Sequence, residues 1–212
     1  MSRSDSGTYS RGTRLFELGH KALRDQRPAS VARPHLEALR EAFGETAVLA
    51  ERDGHRLIVI AAAAGVHGVA KGARVGEPDQ WHSTSLGKAI LAALPEDEAR
   101  EVLLSHDLVR FTSRTLVDVT DILGSLRRVR AEGIAIDDEE SEIGLRCIGS
   151  VVHDAFGRPR FAISVSGPAY RITLDAITPI AEAIKAAAGQ ISHDLGCEPP
   201  AHAPGSTAQA RT

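Results

Sequence analysis

The sequence predicts an α/β chain of the α+β kind, a largely antiparallel sheet flanked by helices, and three observations lead there. Amphipathic segments with apolar residues every three or four positions alternate with short runs rich in Val, Ile and Ala. Two of those runs are joined through Asp53-Gly54, and two more through Asp154-Ala155-Phe156-Gly157, both turns that fold a chain back antiparallel to itself. The order that results is helices, hairpin, helices, hairpin, helix, with no internal repeat. Hydrophobic residues at 42% and charged residues at 25% of 212 positions supply enough apolar side chain for a sizeable core.

Each element has its own signal. Residues 1–10 are rich in Ser, Gly and Arg, and Leu15, Leu18 and Ala22 then recur at the spacing of a short linker helix. Pro28 restarts the chain, and Ala32, His35, Leu36, Leu39 and Phe43 mark one face of a second helix that stops near Gly44. Strands follow at Thr46 to Ala50, Leu57 to Ala62 and Val69 to Val75, the last ended by the turn residues Gly76-Glu77-Pro78-Asp79. Ser83 or Thr84 caps a helix carrying Leu86, Ile90 and Leu91, and Pro95 opens another with Ala99, Val102 and Leu103. Asp118 to Arg130 repeats Val119, Ile122, Leu123, Leu126 and Val129 on one face and stops at Gly133. Ile134 to Ile136, Cys147 to Val152 and Phe161 to Val165 read as strands. A long last helix carries Ile177, Ile180, Ile184, Ala187 and Ile191 and ends at Gly196. Residues 197–212, rich in Pro, Ala, Gly and Ser, read as a disordered tail.

Composition excludes several classes. A net charge of −3 lacks the excess of a free-standing nucleic-acid binder. The longest apolar run, Leu57 to Val66, is too short to span a bilayer. The polar start, Met1 to Gly7, has no apolar stretch behind it and so no secretory signal. The two cysteines, Cys147 and Cys197, form neither a disulfide framework nor a metal knuckle, which points to a reducing cytoplasm.

A few residues carry candidate chemistry. Ser85-Leu86-Gly87-Lys88 matches the S-x-x-K nucleophile pattern, but the S-D-N and K-T-G elements of that chemistry are missing, and the commoner reading is a surface lysine on an amphipathic helix. A helix that begins at Ser83-Thr84 also leaves unpaired N–H groups at Ser85, Leu86 and Gly87, a ready site for a small carboxylate or phosphate. Asp137-Asp138-Glu139-Glu140 reads as a solvated turn in which Asp137, directly after Ile136, is the candidate to turn inward; it lacks the ligand alternation of an EF-hand. Period two places Ser164 and Ser166 on one sheet face and Cys147, Gly149 and Val151 on one face of the partner strand, a cluster that points to a pocket. Cys147 is either a buried apolar residue or a thiolate nucleophile. His82, Asp137 and Cys147 lack the spacing of a metal site, and Gly65, Gly68 and Gly72 around Lys71 lack a P-loop ending, so neither metal nor cofactor is expected.

Four blocks then occur in order: Trp81-His82-Ser83-Thr84-Ser85-Leu86-Gly87-Lys88-Ala89-Ile90-Leu91-Ala92, Ile134-Ala135-Ile136-Asp137-Asp138-Glu139-Glu140, Gly144-Leu145-Arg146-Cys147-Ile148-Gly149 and Ala162-Ile163-Ser164-Val165-Ser166-Gly167-Pro168. They resemble the signature blocks of the C-terminal effector-binding domain of the IclR family of bacterial transcriptional regulators. Arg33-Pro34-His35-Leu36 and Gly44-Glu45-Thr46 fit the start of that domain, and the resemblance runs over roughly residues 12–196. It implies a GAF-like fold with a small-molecule pocket on one sheet face, no catalytic residue, and a homo-oligomer, dimer or tetramer. The resemblance further implies that Ser85 and Leu86 offer backbone N–H groups to a ligand carboxylate while Asp137, Cys147, Ser164 and Ser166 line the remainder. The aromatic content of 4% leans toward a small organic acid over a large flat one.

The family carries a winged helix-turn-helix ahead of this domain, and Tyr9 to Leu15 is similar to the segment that follows its closing strand. The division expected is therefore 1–27 as a remnant of wing and linker helix, 28–196 as effector-binding domain and 197–212 as tail. DNA would be engaged only through a helix-turn-helix outside this chain, since Lys+Arg 8 against Asp+Glu 4 over residues 1–40 is too dilute to replace one. The expected function is small-molecule sensing and oligomerisation in an IclR-type regulator. The alternatives are a GAF-type thiol enzyme using Cys147 and a stand-alone modulatory partner of full-length regulators.

Overall fold

In the computed structural model, which describes residues 27–66 and 74–197 and the backbone of two short paired strands, β1 (Ser2–Arg3) and β2 (Tyr9–Ser10), the first long element is helix α1 (Arg27–Phe43). The expected helix at Leu15 to Ala22, most of the expected strand at 69–75 and all but the first residue of the tail lie outside the described residues. Pro28 sits in the first turn of α1, where its missing N–H leaves nothing unpaired. Ala29, Ala32, Leu36 and Leu39 form its buried stripe, and Gly44 ends it in the left-handed region at φ 70°.

Strands β3 (Thr46–Asp53) and β4 (Arg56–Ala63) pair as a hairpin through the turn at Gly54. A register shift between Leu49 and Ala50 changes the phase of β4, so Ile60 and Ala61 both join the core beneath α1 while Leu57 and Val59 face the opposite core. Residues 76–79 run beside β4 as an irregular edge. Asp79 N–H donates to the Leu57 carbonyl at 2.9 Å, Gly76 N–H to the Val59 carbonyl at 2.8 Å, and Pro78 bridges Ile58.

Helices α2 (Ser85–Ala93), α3 (Glu96–Leu104) and α4 (Val119–Glu132) come next, α4 being capped by Asp118 and stopped by Gly133. Strands β5 (Ala135–Asp138), β6 (Leu145–His153) and β7 (Pro159–Pro168) and helix α5 (Leu174–Asp194) complete the chain. The sheet is five-stranded and antiparallel throughout, in the order β4-β3-β7-β6-β5. This is the α+β architecture that the periodicity predicts.

The two sheet faces serve different layers. Ile148, Ile163 and Val165 point to the core shared with α1 and α5, which contribute Leu36, Ile184 and Ile191. Val48, Val59 and Ala162 point to the core shared with α2, α3 and α4, where Ile90, Leu103 and Ile122 are fully buried. Each such side chain contributes about 1.5–3 kcal/mol on leaving water. None of the described helices is long and apolar enough to cross a membrane.

Helix α2 is buried from Ser85 through Ala92, so it is an interior element, and its packing requires glycine. A Cβ on Gly87 would land against the carbonyl oxygens of Gln80 and Trp81, backbone that has no side-chain freedom to yield. Gly189 on α5, by contrast, has open space where a Cβ would stand. Gly87→Ala is therefore expected to destabilise by about 1–3 kcal/mol or more through overpacking. Gly189→Ala is expected to stabilise by about 1 kcal/mol through helix propensity. Urea unfolding midpoints of the two variants should move in opposite directions.

Candidate functional site

Strand register assembles the site. Pairing across the sheet sets Thr46, Ser166, Cys147 and Asp137 in one row, on β3, β7, β6 and β5, and Val48, Ser164, Gly149 and Ala135 in the next. Directly paired residues share a face, so both rows look toward α2. Gly149 is the residue that lets the helix come close. A Cβ there would stand 3.1 Å from both the carbonyl oxygen and the hydroxyl of Ser85.

The start of α2 is capped by Thr84, whose hydroxyl oxygen accepts the Gly87 N–H at 3.1 Å and donates to the Gln80 carbonyl at 2.6 Å. The N–H groups of Ser85 and Leu86, the first two of the helix, have no carbonyl within it to bond and carry the positive end of its dipole. Between this helix start and the sheet lies a cavity of about 220 Å³. Ser85, Leu86, Asp137, Cys147, Ser164 and Ser166 all line it, so the structure brings together all six residues singled out from sequence. Ser85 and Ser164 are each only 1% exposed, and their hydroxyls find no hydrogen-bond partner among the described residues. Gly65, Gly44 and Thr46 close the sheet end nearby, with the Gly65 N–H donating to the Thr46 hydroxyl at 3.1 Å.

The acidic run does more than meet solvent. Asp137 is fully buried and accepts the N–H groups of Glu140 (2.8 Å) and Ser141 (3.2 Å) as well as the Ser141 hydroxyl. Burial nevertheless holds its pKa above the usual carboxylate value. Asp138 pairs with Arg146 at 2.7 Å, and Glu139, at φ 61°, accepts the Gly144 N–H at 2.8 Å. Glu140 pairs with Lys88. Thr112 and Thr115 brace the turn by donating to the carbonyls of Glu139 (2.7 Å) and Glu140 (2.6 Å).

Lys88 corrects the reading of a surface lysine. It is 5% exposed, and its ammonium donates to the Ile136 carbonyl at 2.5 Å and to Glu140. The helix carrying it is buried on every side, so this position has no solvent to reach, and the cation is instead paired and hydrogen-bonded. Because Lys88 is committed to Glu140, it is not presented to Ser85 as a base.

Burial and the neighbouring Asp137 push the Cys147 thiol well above its ordinary range, and Ser166 hydrogen-bonds to it. A protonated thiol is a poor nucleophile. His82 stacks on Phe111 and contacts the Val109 carbonyl through Nε2 at 2.9 Å, and burial lowers its pKa.

Sequence reasoning missed Asp79, Thr84 as a lining residue, Phe111, Ser141 and Glu142, all of which line the cavity. Asp79 arrives because 76–79 docks along β4, a placement for which the turn residues around it carry no signal. Its carboxylate accepts the Gln80 N–H at 2.9 Å and lies beside the Thr84 hydroxyl, whose own proton goes to the Gln80 carbonyl. It opens on the cavity yet is hemmed in by protein, and desolvation, reinforced by Asp137, pushes its pKa up to about 6.

The profile described as Bacterial transcriptional regulator IclR C-terminal matches residues 20–193. The chain belongs to the IclR family. This IclR-family chain is 35% identical over 197 residues to the HTH-type transcriptional repressor AllR of Salmonella typhi, an alignment covering 93% of the chain and 72% of that repressor. It is 34% identical over 193 residues to AllR of Escherichia coli K12, covering 91% and 71%. Among solved structures it superimposes on the Thermotoga maritima IclR with a TM-score of 0.82 at 32% identity, covering 92% of this chain and 78% of that one. The C-terminal domain of the E. coli regulator KdgR gives 0.73 at 28% identity, covering 81% and 99%. The domain is thus the effector-binding domain of an IclR-type transcriptional regulator, and the AllR proteins that it resembles are transcriptional repressors.

Two measurements check the site's electrostatics. A carboxyl whose folded pKa is raised favours the neutral form in the native state, so Asp79 costs no stability below pH 4 and costs progressively more as pH rises to about 6. Asp79→Asn should therefore gain thermal stability relative to wild type as pH rises from 4 to about 6, with the gain constant above that. Cys147 should resist iodoacetamide at pH 7.5 in the native protein and react on unfolding in urea, as mass spectrometry of its peptide would show.

Proposed function

We propose that this IclR-family domain senses a small organic acid and so controls transcription. The observation that supports it best is the meeting, in one cavity, of the free N–H groups opening α2 with the buried, unpartnered hydroxyls of Ser85 and Ser164. The ligand carboxylate docks on the Ser85 and Leu86 N–H groups, where the helix dipole favours negative charge. Asp137, Cys147, Ser164 and Ser166 contact the rest of the molecule. The cavity has room for about seven waters at ~30 Å³ each, the scale of a small acid.

In this reading the chain acts as a homo-oligomer in the cytoplasm and reaches DNA through a helix-turn-helix outside residues 1–212, with 1–27 as remnant of wing and linker helix, 28–196 as effector-binding domain and 197–212 as tail. The acid shifts regulation only by binding one arrangement of subunits better than another. A thiol enzyme using Cys147 is disfavoured by its buried, protonated sulfur.

Calorimetric titration with lactate, pyruvate, succinate and benzoate tests the pocket. At least one acid should bind, and Ser164→Ala should weaken it about two- to tenfold, the worth of a neutral hydrogen bond. Binding that ignores both Ser164→Ala and Ser166→Ala would place the ligand elsewhere.

A further inference from the structure

The docking of a carboxylate at α2 accounts for the donors of the cavity but not for its acids. Glu77, Asp79, Asp137 and Glu142 all line it, and no Lys or Arg does among the described residues. The nearest cation, Lys88, is held by Glu140 and the Ile136 carbonyl. A carboxylate entering this space therefore adds negative charge beside Asp79 and Asp137, two carboxyls that desolvation already disfavours as anions. Something must neutralise it.

The four acids are not equally placed to do so. Asp137 already accepts three hydrogen bonds, two of them from backbone N–H groups, and a proton on it would disrupt the turn that it holds. Asp79 accepts the Gln80 N–H and lies beside Thr84, the residue that caps α2, which puts its carboxyl near the docking position. An ionised carboxylate has about four lone-pair sites, so Asp79 keeps unused capacity facing the cavity. The segment that bears it is fixed to β4 through Leu57, Val59 and Ile58, so it does not simply swing away. The titratable groups facing Asp79 are Asp137 on β5 and Cys147 on β6, with Glu77 on its own segment and Glu142 on the β5–β6 connection. Each of these becomes neutral or negative on titration, so none compensates an incoming anion.

We infer that Asp79 is itself a ligand-binding group, one that takes up a proton from solvent when an organic acid docks at α2 and donates the resulting O–H to the ligand carboxylate. This rests on the docking proposed above. The balance is one ionised Asp79, one ligand carboxylate and one solvent proton combining into a complex that carries a single negative charge. Desolvation already raises its pKa to about 6, still ionised at pH 7.5, so a docked anion pushes it further in the same direction.

Titrating the tightest binder among lactate, pyruvate, succinate and benzoate into the full chain, in two buffers of different ionisation enthalpy at pH 7.5, reads the proton directly. Uptake of about one proton per ligand is expected at this pH, with Kd weakening about tenfold per pH unit between pH 7 and 8 and less steeply toward pH 6, where the free group is already partly protonated. In Asp79→Asn both the uptake and the slope should vanish while binding at pH 8 persists. Binding without proton uptake in the wild type, a measurement that needs no variant, overturns the inference and leaves the docking intact. Uptake that survives in Asp79→Asn also overturns it by assigning the proton to another group. Failure of all four acids to bind at either pH, or affinities indifferent to Ser164→Ala and Ser166→Ala, overturns the docking and this inference together.

Discussion

Everything at the site depends on how closely the first turn of α2 is pressed to the sheet. Two absent side chains permit the approach: Gly87 accommodates the carbonyls of Gln80 and Trp81 on one side, and Gly149 accommodates Ser85 on the other. Lys88 then fastens the helix to β5 through the Ile136 carbonyl and Glu140. Removing one member of such a buried pair typically costs about 3–5 kcal/mol, because the other is left charged and alone. The pair therefore holds geometry more than it adds net stability. It fixes the helix start over the strand row that carries Asp137, Cys147 and Ser166.

The cavity that results sets donors against acceptors within a few side chains. Helix N–H groups and serine hydroxyls favour an anion, while Asp79 and Asp137 resist one, and both carboxyls are shifted toward their neutral forms by desolvation. A site of this kind binds selectively because an unmatched polar group inside it is costly. The same low hydration that makes a fit favourable makes a misplaced charge prohibitive. The sheet keeps these polar residues on one face while Ile148, Ile163 and Val165 secure the other, so the site does not compromise the main core.

How much of this is legible along the chain differs from residue to residue. Alternation alone places Ser164 and Ser166 on one face of their strand and Cys147 and Gly149 on one face of the partner, but a register shift at Val152 and His153 leaves it to the structure to pair Cys147 with Ser166. The cap can be narrowed to Ser83 or Thr84, which directly precede an apolar helical repeat, and the structure selects Thr84. Asp79 cannot be found this way. It belongs to a non-repeating segment whose position comes from hydrogen bonds to Leu57 and Val59, about twenty residues earlier in sequence. Lys88 is misread for a related reason: a helix with one obvious apolar stripe gives no sign that its polar side is also covered.

Local chemistry along the chain thus determined the elements, their caps and turns, the face on which each strand residue stands, and the resemblance to the IclR family. The elements, caps, turns and faces follow from short-range sterics and periodicity, while the resemblance rests on the four residue blocks in their order. Only the tertiary structure decided which faces meet, that Lys88 is a buried cation bonded to Glu140, that all four acids of 137–140 are engaged, and that Asp79 joins the pocket. These depend on packing between distant segments, and on the desolvation that packing imposes, neither of which is written in any local pattern.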